Sequence, residues 1–129
     1  MKLCDTEIVT FTEGRRSVFR ARGTFLEENG ACVVRYTEDG DAVTLTVRDG
    51  SLKMERSGRL SALFRTGERS ELTVLAQEMR GCVPLETELC RIRTDKNGLS
   101  IHLRYRLQYS AGEQKFSLKI AVGIISEEG

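Results

Sequence analysis

Few residues in this chain are equipped for chemistry. One histidine, His102, and four cysteines, Cys4, Cys32, Cys82 and Cys90, are its whole stock of imidazole and thiol donors. A zinc site needs clustered ligands of the Cys-x-x-Cys or His-x-x-x-His kind. The closest pair here is Cys82 with Cys90, so no metal and no cofactor are expected. A single histidine also removes most nucleophile-base pairs and leaves carboxylates as the remaining acid-base groups. No glycine falls into a G-x-G-x-x-G or P-loop pattern. The cysteines are even in number, which permits disulfides, but their spacing fits no small-domain framework. The first ten residues, MKLCDTEIVT, hold no apolar core of a secretory signal. Free thiols and a cytoplasmic setting are therefore expected.

The elements that position any site are read from the glycines. Polar-Gly pairs recur at Glu13-Gly14, Asn29-Gly30, Asp39-Gly40, Asp49-Gly50, Ser57-Gly58, Thr66-Gly67, Arg80-Gly81, Asn97-Gly98 and Ala111-Gly112. Such pairs between alternating segments signal hairpins, because type I′ turns need positive φ. The spacing predicts strands near Leu3 to Thr12, Ser17 to Glu27, Ala31 to Glu38, Ala42 to Arg48, Ser51 to Ser57, Leu60 to Arg65, Glu68 to Ala76, Val83 to Thr94, Leu99 to Tyr109 and Glu113 to Ile124. No segment has a helical period. With 129 residues the chain has room for one domain, spanning residues 1–129.

Register tests the pattern. A two-residue loop at Asp49-Gly50 sets Val47 against Leu52, Leu45 against Met54 and Val43 against Arg56. Asp39-Gly40 sets Val34 against Leu45 and Tyr36 against Val43; Asn29-Gly30 sets Phe25 against Val34 and Gly23 against Tyr36. Ala111-Gly112 as a loop sets Leu107 against Phe116, Tyr105 against Leu118 and Leu103 against Ile120. All four turns agree on which parity faces inward. So many sequential strands with one apolar face expose their edges unless they close, which predicts an all-β antiparallel up-and-down meander barrel. Gly23 in mid-strand marks either a bend or room for the Tyr36 ring.

Three constellations follow. Tyr36, Glu38, Val43, Met54 and Arg56 share the inner face near one mouth, where Arg56 interrupts an apolar row. It serves there either as a plug paired with Glu38 and Tyr36 or as a bidentate anchor for an anionic ligand. Outside, Arg104, Arg106 and His102 alternate outward, with Lys119 opposite Arg104 and with Arg91 and Arg93 across the Asn97-Gly98 hairpin. From Arg91 to Lys119 seven basic residues face two acidic ones in a chain of net charge +1. That charge row is expected to be solvated, and the absence of interleaved outward aromatics argues against a nucleic acid. Third, two-residue loops around Gly58 and Gly67 put Ser61, Leu63 and Arg65 inside. They leave Leu60, Ala62, Phe64 and Leu75 as an outward patch suited to a homodimer, unless a longer turn flips the strand.

The order of short motifs resembles one family. Tyr36-Thr37-Glu38, the turn Met54-Glu55-Arg56-Ser57-Gly58, the Thr66-Gly67 turn, the run GCVPLET from Gly81 to Thr87, and Leu103-Arg104-Tyr105-Arg106-Leu107 are similar to those of the YwiB-like proteins. The resemblance implies a lipocalin-like (calycin) barrel of cytoplasmic bacterial origin and no established catalytic residue. It breaks at Ala76 to Arg80, where relatives carry a Tyr and a Thr-Pro-Tyr before the glycine.

The leading functional expectation is non-catalytic binding of a small, partly apolar, anionic molecule in the barrel mouth, with no membrane partner. Two alternatives stand beside it. One is a protein or nucleic-acid interaction module using the outer basic face and an oligomer interface. The other is an enzyme using Glu38 as acid or base beside Arg56.

Overall fold

Alternating side chains and tight turns build one closed sheet. The computed structural model describes residues 1–75 and 80–127. Among them run β1 (Lys2–Thr12), β2 (Arg15–Glu28), β3 (Ala31–Glu38), β4 (Asp41–Arg48), β5 (Ser51–Arg56), β6 (Leu60–Phe64), β7 (Arg69–Leu75), β8 (Arg80–Asp95), β9 (Gly98–Tyr109) and β10 (Gly112–Glu127). Every neighbouring pair is antiparallel, and β1 pairs with both β2 and β10, which closes the barrel. Ala76, the expected end of the seventh strand, and the rest of the Ala76 to Met79 motif lie outside the described residues. No described helix is long and apolar enough to cross a membrane.

The hairpins at Asn29-Gly30, Asp39-Gly40 and Asp49-Gly50 take the expected registers, including Val47 with Leu52, Val34 with Leu45 and Phe25 with Val34. Asp49 (φ +49°) and Gly50 (φ +77°) show why: both central positions of a type I′ turn need positive φ. Val34, Leu45, Leu52 and Leu103 have no exposed surface and form the centre of the core.

Three registers differ from the sequence reading, those of β5–β6, β6–β7 and β9–β10. The β9–β10 loop is Ser110-Ala111, because Tyr109 pairs with Gly112. Tyr105 therefore faces Phe116, Leu103 faces Leu118, and Lys119 faces His102 rather than Arg104. The inward parity is unchanged, and the shift stacks the Tyr105 and Phe116 rings at 4.9 Å.

The β5–β6 loop has three residues, Ser57 to Arg59, closed by an Arg59 N–H donating to the Arg56 carbonyl at 2.6 Å. The extra residue flips β6, so Ala62 and Phe64 are buried and Leu63 faces out. Of the outward patch expected to suit a homodimer, Ala62 and Phe64 are core residues, whereas Leu60 and Leu75 are exposed.

β8 carries a bulge between Thr87 and Leu89. Leu85 and Thr87 point inward before it and Cys90 after it, so the inward parity changes within one strand.

Two glycines are required by close backbone approach. A Cβ on Gly98 would lie 1.8 Å from the Val122 carbonyl oxygen, and one on Gly23 would lie 2.1 Å from that of Arg35. At Gly23 the backbone of β3, more than the Tyr36 ring, is the obstacle; that ring rests on Phe19 at 5.6 Å.

Candidate functional site

At the barrel end that carries the β3–β4 and β5–β6 turns, the interior opens into a cavity of about 280 Å³. Tyr36, Glu38, Val43, Met54 and Arg56, named from register alone, all line it. Its opposite wall is Phe64, Tyr105 and Phe116, whose rings pack in series at 4.8 and 4.9 Å. The sequence reading placed Tyr105 and Phe116 inward but did not bring them to this site, because Phe64 joins them only through the three-residue loop and the two rings face each other only in the shifted hairpin. Leu60, Leu72, Leu85 and Leu107 complete an apolar lining broken mainly at the mouth.

Arg56 is already engaged by groups of the protein. Its Nε–H donates to Asp41 Oδ2 at 3.0 Å, and an Nη2–H donates to the Glu38 carbonyl at 3.2 Å. Nη1 lies 3.5 Å from Glu38 Oε1 and Nη2 3.9 Å from Asp39 Oδ2. The hydrogen bond that Arg56 donates to Asp41 is the main reason that it holds its proton more tightly than usual; burial opposes this, and the charges of Glu38, Asp41 and Asp39 add to it. Arg56 thus ties the β3–β4 turn to β5. This is close to the plug reading, but the chief partner is Asp41 and Tyr36 is not one. Asp41 was legible: the Asp39-Gly40 register places it opposite Glu38 on the inner face. Glu38, Asp39 and Asp41 outnumber Arg56 and Arg59, which approaches Asp41 at 3.9 Å. An anionic head group would therefore meet net negative charge at this mouth, which favours a neutral or cationic one.

The remaining polar groups are hydroxyls. Tyr36 and Tyr105 line the cavity, and neither has a hydrogen-bond partner among the described residues; Ser61, on the outward parity of β6, only borders it. Burial, with a smaller contribution from Glu38, pushes the Tyr36 hydroxyl up to about 12. Burial does the same at Tyr105, also to about 12. Both remain neutral at physiological pH, able to donate and to accept.

Elsewhere, Arg91, Arg93, Arg104 and Lys119 are exposed on the outer face, with no carboxylate within 4.0 Å among the described residues. Arg106 does not belong with them. It is half-buried and surrounded by Glu86 at 2.6 Å, Glu88 at 3.4 Å and Glu113 at 3.7 Å. Phe11 is 42% exposed and directly opposite Ser117, itself opposite Arg104. The basic face therefore does carry an aromatic, brought in from β1 by closure. The four cysteines are free thiols: Cys4 and Cys90 are buried and Cys82 is exposed. Among the described residues no group of three or more His, Cys, Asp or Glu is placed to hold a metal ion.

Comparison with known proteins gives a fold and a family. The structure is similar to that of the ywiB protein from Bacillus subtilis, with a TM-score of 0.72 and 16% sequence identity over 94% of this chain and 90% of that one. At that identity the likeness carries the barrel and nothing about activity. No curated protein matches the chain. The family described as "Domain of unknown function (DUF1934)" matches residues 5–120. With that span matched and the same barrel in ywiB, the chain belongs to this YwiB-like family of undetermined function.

Proposed function

We propose that the barrel binds a small, largely apolar molecule whose head group is neutral or cationic and donates hydrogen bonds. The observation that carries this reading is the apolar cavity with unpartnered hydroxyls and the Glu38 carboxylate at its mouth. At about 280 Å³ it sits at the small end of ligand pockets, roughly 300 to 1,000 Å³, so the ligand is compact. Glu38 and the Tyr36 hydroxyl accept from the head group, while the Phe64, Tyr105 and Phe116 rings cover the tail. Arg56 holds the mouth in shape through Asp41. A catalytic role for Glu38 has less support, since Arg56 and Asp41 are already matched and the Tyr36 hydroxyl beside it holds its proton up to about 12.

Native mass spectrometry of the protein purified from its own cells tests this. A stoichiometric small adduct, absent from an Ala62→Trp variant whose indole fills the cavity, is the expected result. An adduct that persists unchanged in that variant, or none in either protein, goes against the proposal.

A further inference from the structure

Several outward cations on this barrel are paired: Arg20 with Glu7, Arg22 with Asp5, Lys53 with Glu55, Arg65 with Glu68, and Arg106 with its three glutamates. In one region cations without such a partner among the described residues gather on neighbouring strands. Arg91 on β8, His102 on β9 and Lys119 on β10 stand directly opposite one another in a single cross-strand row. Arg104 lies one row to one side, and Arg93 with Ser100 one row to the other. Arg91 and Lys119 flank His102 two strands apart, with Arg104 diagonal to both, so like charges gather on this face and are held there by the barrel and not by their own contacts.

His102 reports the same field: burial first, then Lys119, Arg104 and Arg91, lowers its proton affinity. Closure continues these rows onto β1 and β2, as Arg104, Ser117, Phe11 and Arg16 in one and His102, Lys119, Val9 and Val18 in the next. Phe11 and Val18 are exposed, and Arg16 has no partner among the described residues. Beside them Phe11, Arg104, Lys115 and Ser117 line an open outer hollow of about 380 Å³. Glu13 and Glu88 also line it, Glu88 being drawn toward Arg106.

We propose that the outer face of β8, β9, β10 and β1 binds single-stranded nucleic acid, with the phosphates along the Arg91, Arg104 and Lys119 cluster and one base stacked on Phe11. A strand of phosphates relieves the repulsion along the row. Single-stranded partners suit an exposed ring because every base has a stacking face that a duplex hides. A simple polyanion would use the cations but leave Phe11 without a role.

The test is fluorescence anisotropy of the full chain with a labelled oligouridine across a salt series. Duplex RNA of the same length and inorganic polyphosphate serve as competitors. If about four phosphates are neutralised, log K should fall against log salt with a slope of about −3. The double variant Arg104→Glu, Lys119→Glu should weaken binding at least tenfold and flatten that slope. Phe11→Ala should weaken it roughly tenfold with the slope unchanged. Both variants alter exposed side chains, and an unchanged thermal melt confirms the fold. The single His102 ring resonance provides a second reading: its titration should move to higher pH when the oligonucleotide is bound. Absence of binding, polyphosphate competing as well as RNA, indifference to Phe11→Ala, or an unmoved His102 titration would overturn the proposal.

Discussion

Replacing Arg56 by methionine removes the only guanidinium that links β5 to the β3–β4 turn, at nearly constant length. Four interactions go: the Nε bond to Asp41 at 3.0 Å, the Nη2 bond to the Glu38 carbonyl at 3.2 Å, the contact of Nη1 with the Glu38 carboxylate, and the distant contact of Nη2 with Asp39 at 3.9 Å. Breaking a fully buried pair costs about 3 to 5 kcal/mol, and a surface pair is worth about 0 to 1. The Arg56 side chain is 26% exposed and that of Asp41 19%, so the cost should fall between these limits, at about 2 kcal/mol. Much of it is the stranded Asp41 carboxylate. Asp41→Asn in the Arg56→Met background should therefore return about 1 kcal/mol, and Glu38→Gln, at a more exposed and more distant group, less than half of that. Urea titration of the single and double variants measures both couplings. A loss below about 0.5 kcal/mol for Arg56→Met, or rescue by Glu38→Gln in place of Asp41→Asn, would refute the assignment of Asp41 as the chief partner.

Leu103→Ala should cost about 2 to 5 kcal/mol, since Leu103 has no exposed surface, whereas Arg104→Glu on the same strand should stay within about 0.5; urea midpoints decide both. Gly98→Ala forces a Cβ into the Val122 carbonyl and a strained φ of +146°, and should cost at least about 2 kcal/mol in a thermal melt. Tyr36 and Tyr105 titrate near 12 in the fold against 10.0 for the free side chain. The unfolded chain loses these protons first, so their stabilisation is complete below about pH 10 and declines toward pH 12, by up to about 1.4 kcal/mol per unit for each tyrosine. Urea titrations over that range should show the decline, and Tyr36→Phe should remove its own share of it. Alkylation of the folded protein should modify Cys82 promptly and spare Cys4 and Cys90 until denaturant is added, as mass spectrometry can follow.

How much was legible depended on whether a local rule determined the answer. Asn29-Gly30, Asp39-Gly40 and Asp49-Gly50 set their registers through backbone sterics alone, and those registers brought Tyr36, Glu38, Val43, Met54 and Arg56 to one cavity. Ser57-Gly58 looks the same in sequence but spans three residues, and that one residue decides whether Phe64 is core or surface. At Ala111-Gly112 the glycine begins β10 instead of ending the turn, and the shifted pairing sets Tyr105 on Phe116, a contact that the dipeptide does not announce. The β8 bulge leaves a trace in the change of apolar parity from Leu85 to Cys90, which alternation over shorter windows does not reveal. Closure is non-local: nothing near Phe11 in sequence places it beside Ser117, and so the aromatic on the basic face could not be anticipated from β9 and β10 alone.

The central claim is that a compact amphiphile enters the cavity with a proton-donating head toward Glu38 and Tyr36. Methyl-resolved NMR with octylamine and octanoate, equal in chain length and opposite in charge, tests it most directly. Octylamine should shift the methyl resonances of Val43, Met54, Leu72, Leu85 and Leu107, which line the cavity, and leave Val34, packed in the core outside that lining, unmoved. Octanoate should bind more weakly at the same site. Tighter binding of octanoate, or no shift of the cavity methyls with either compound, would contradict the account.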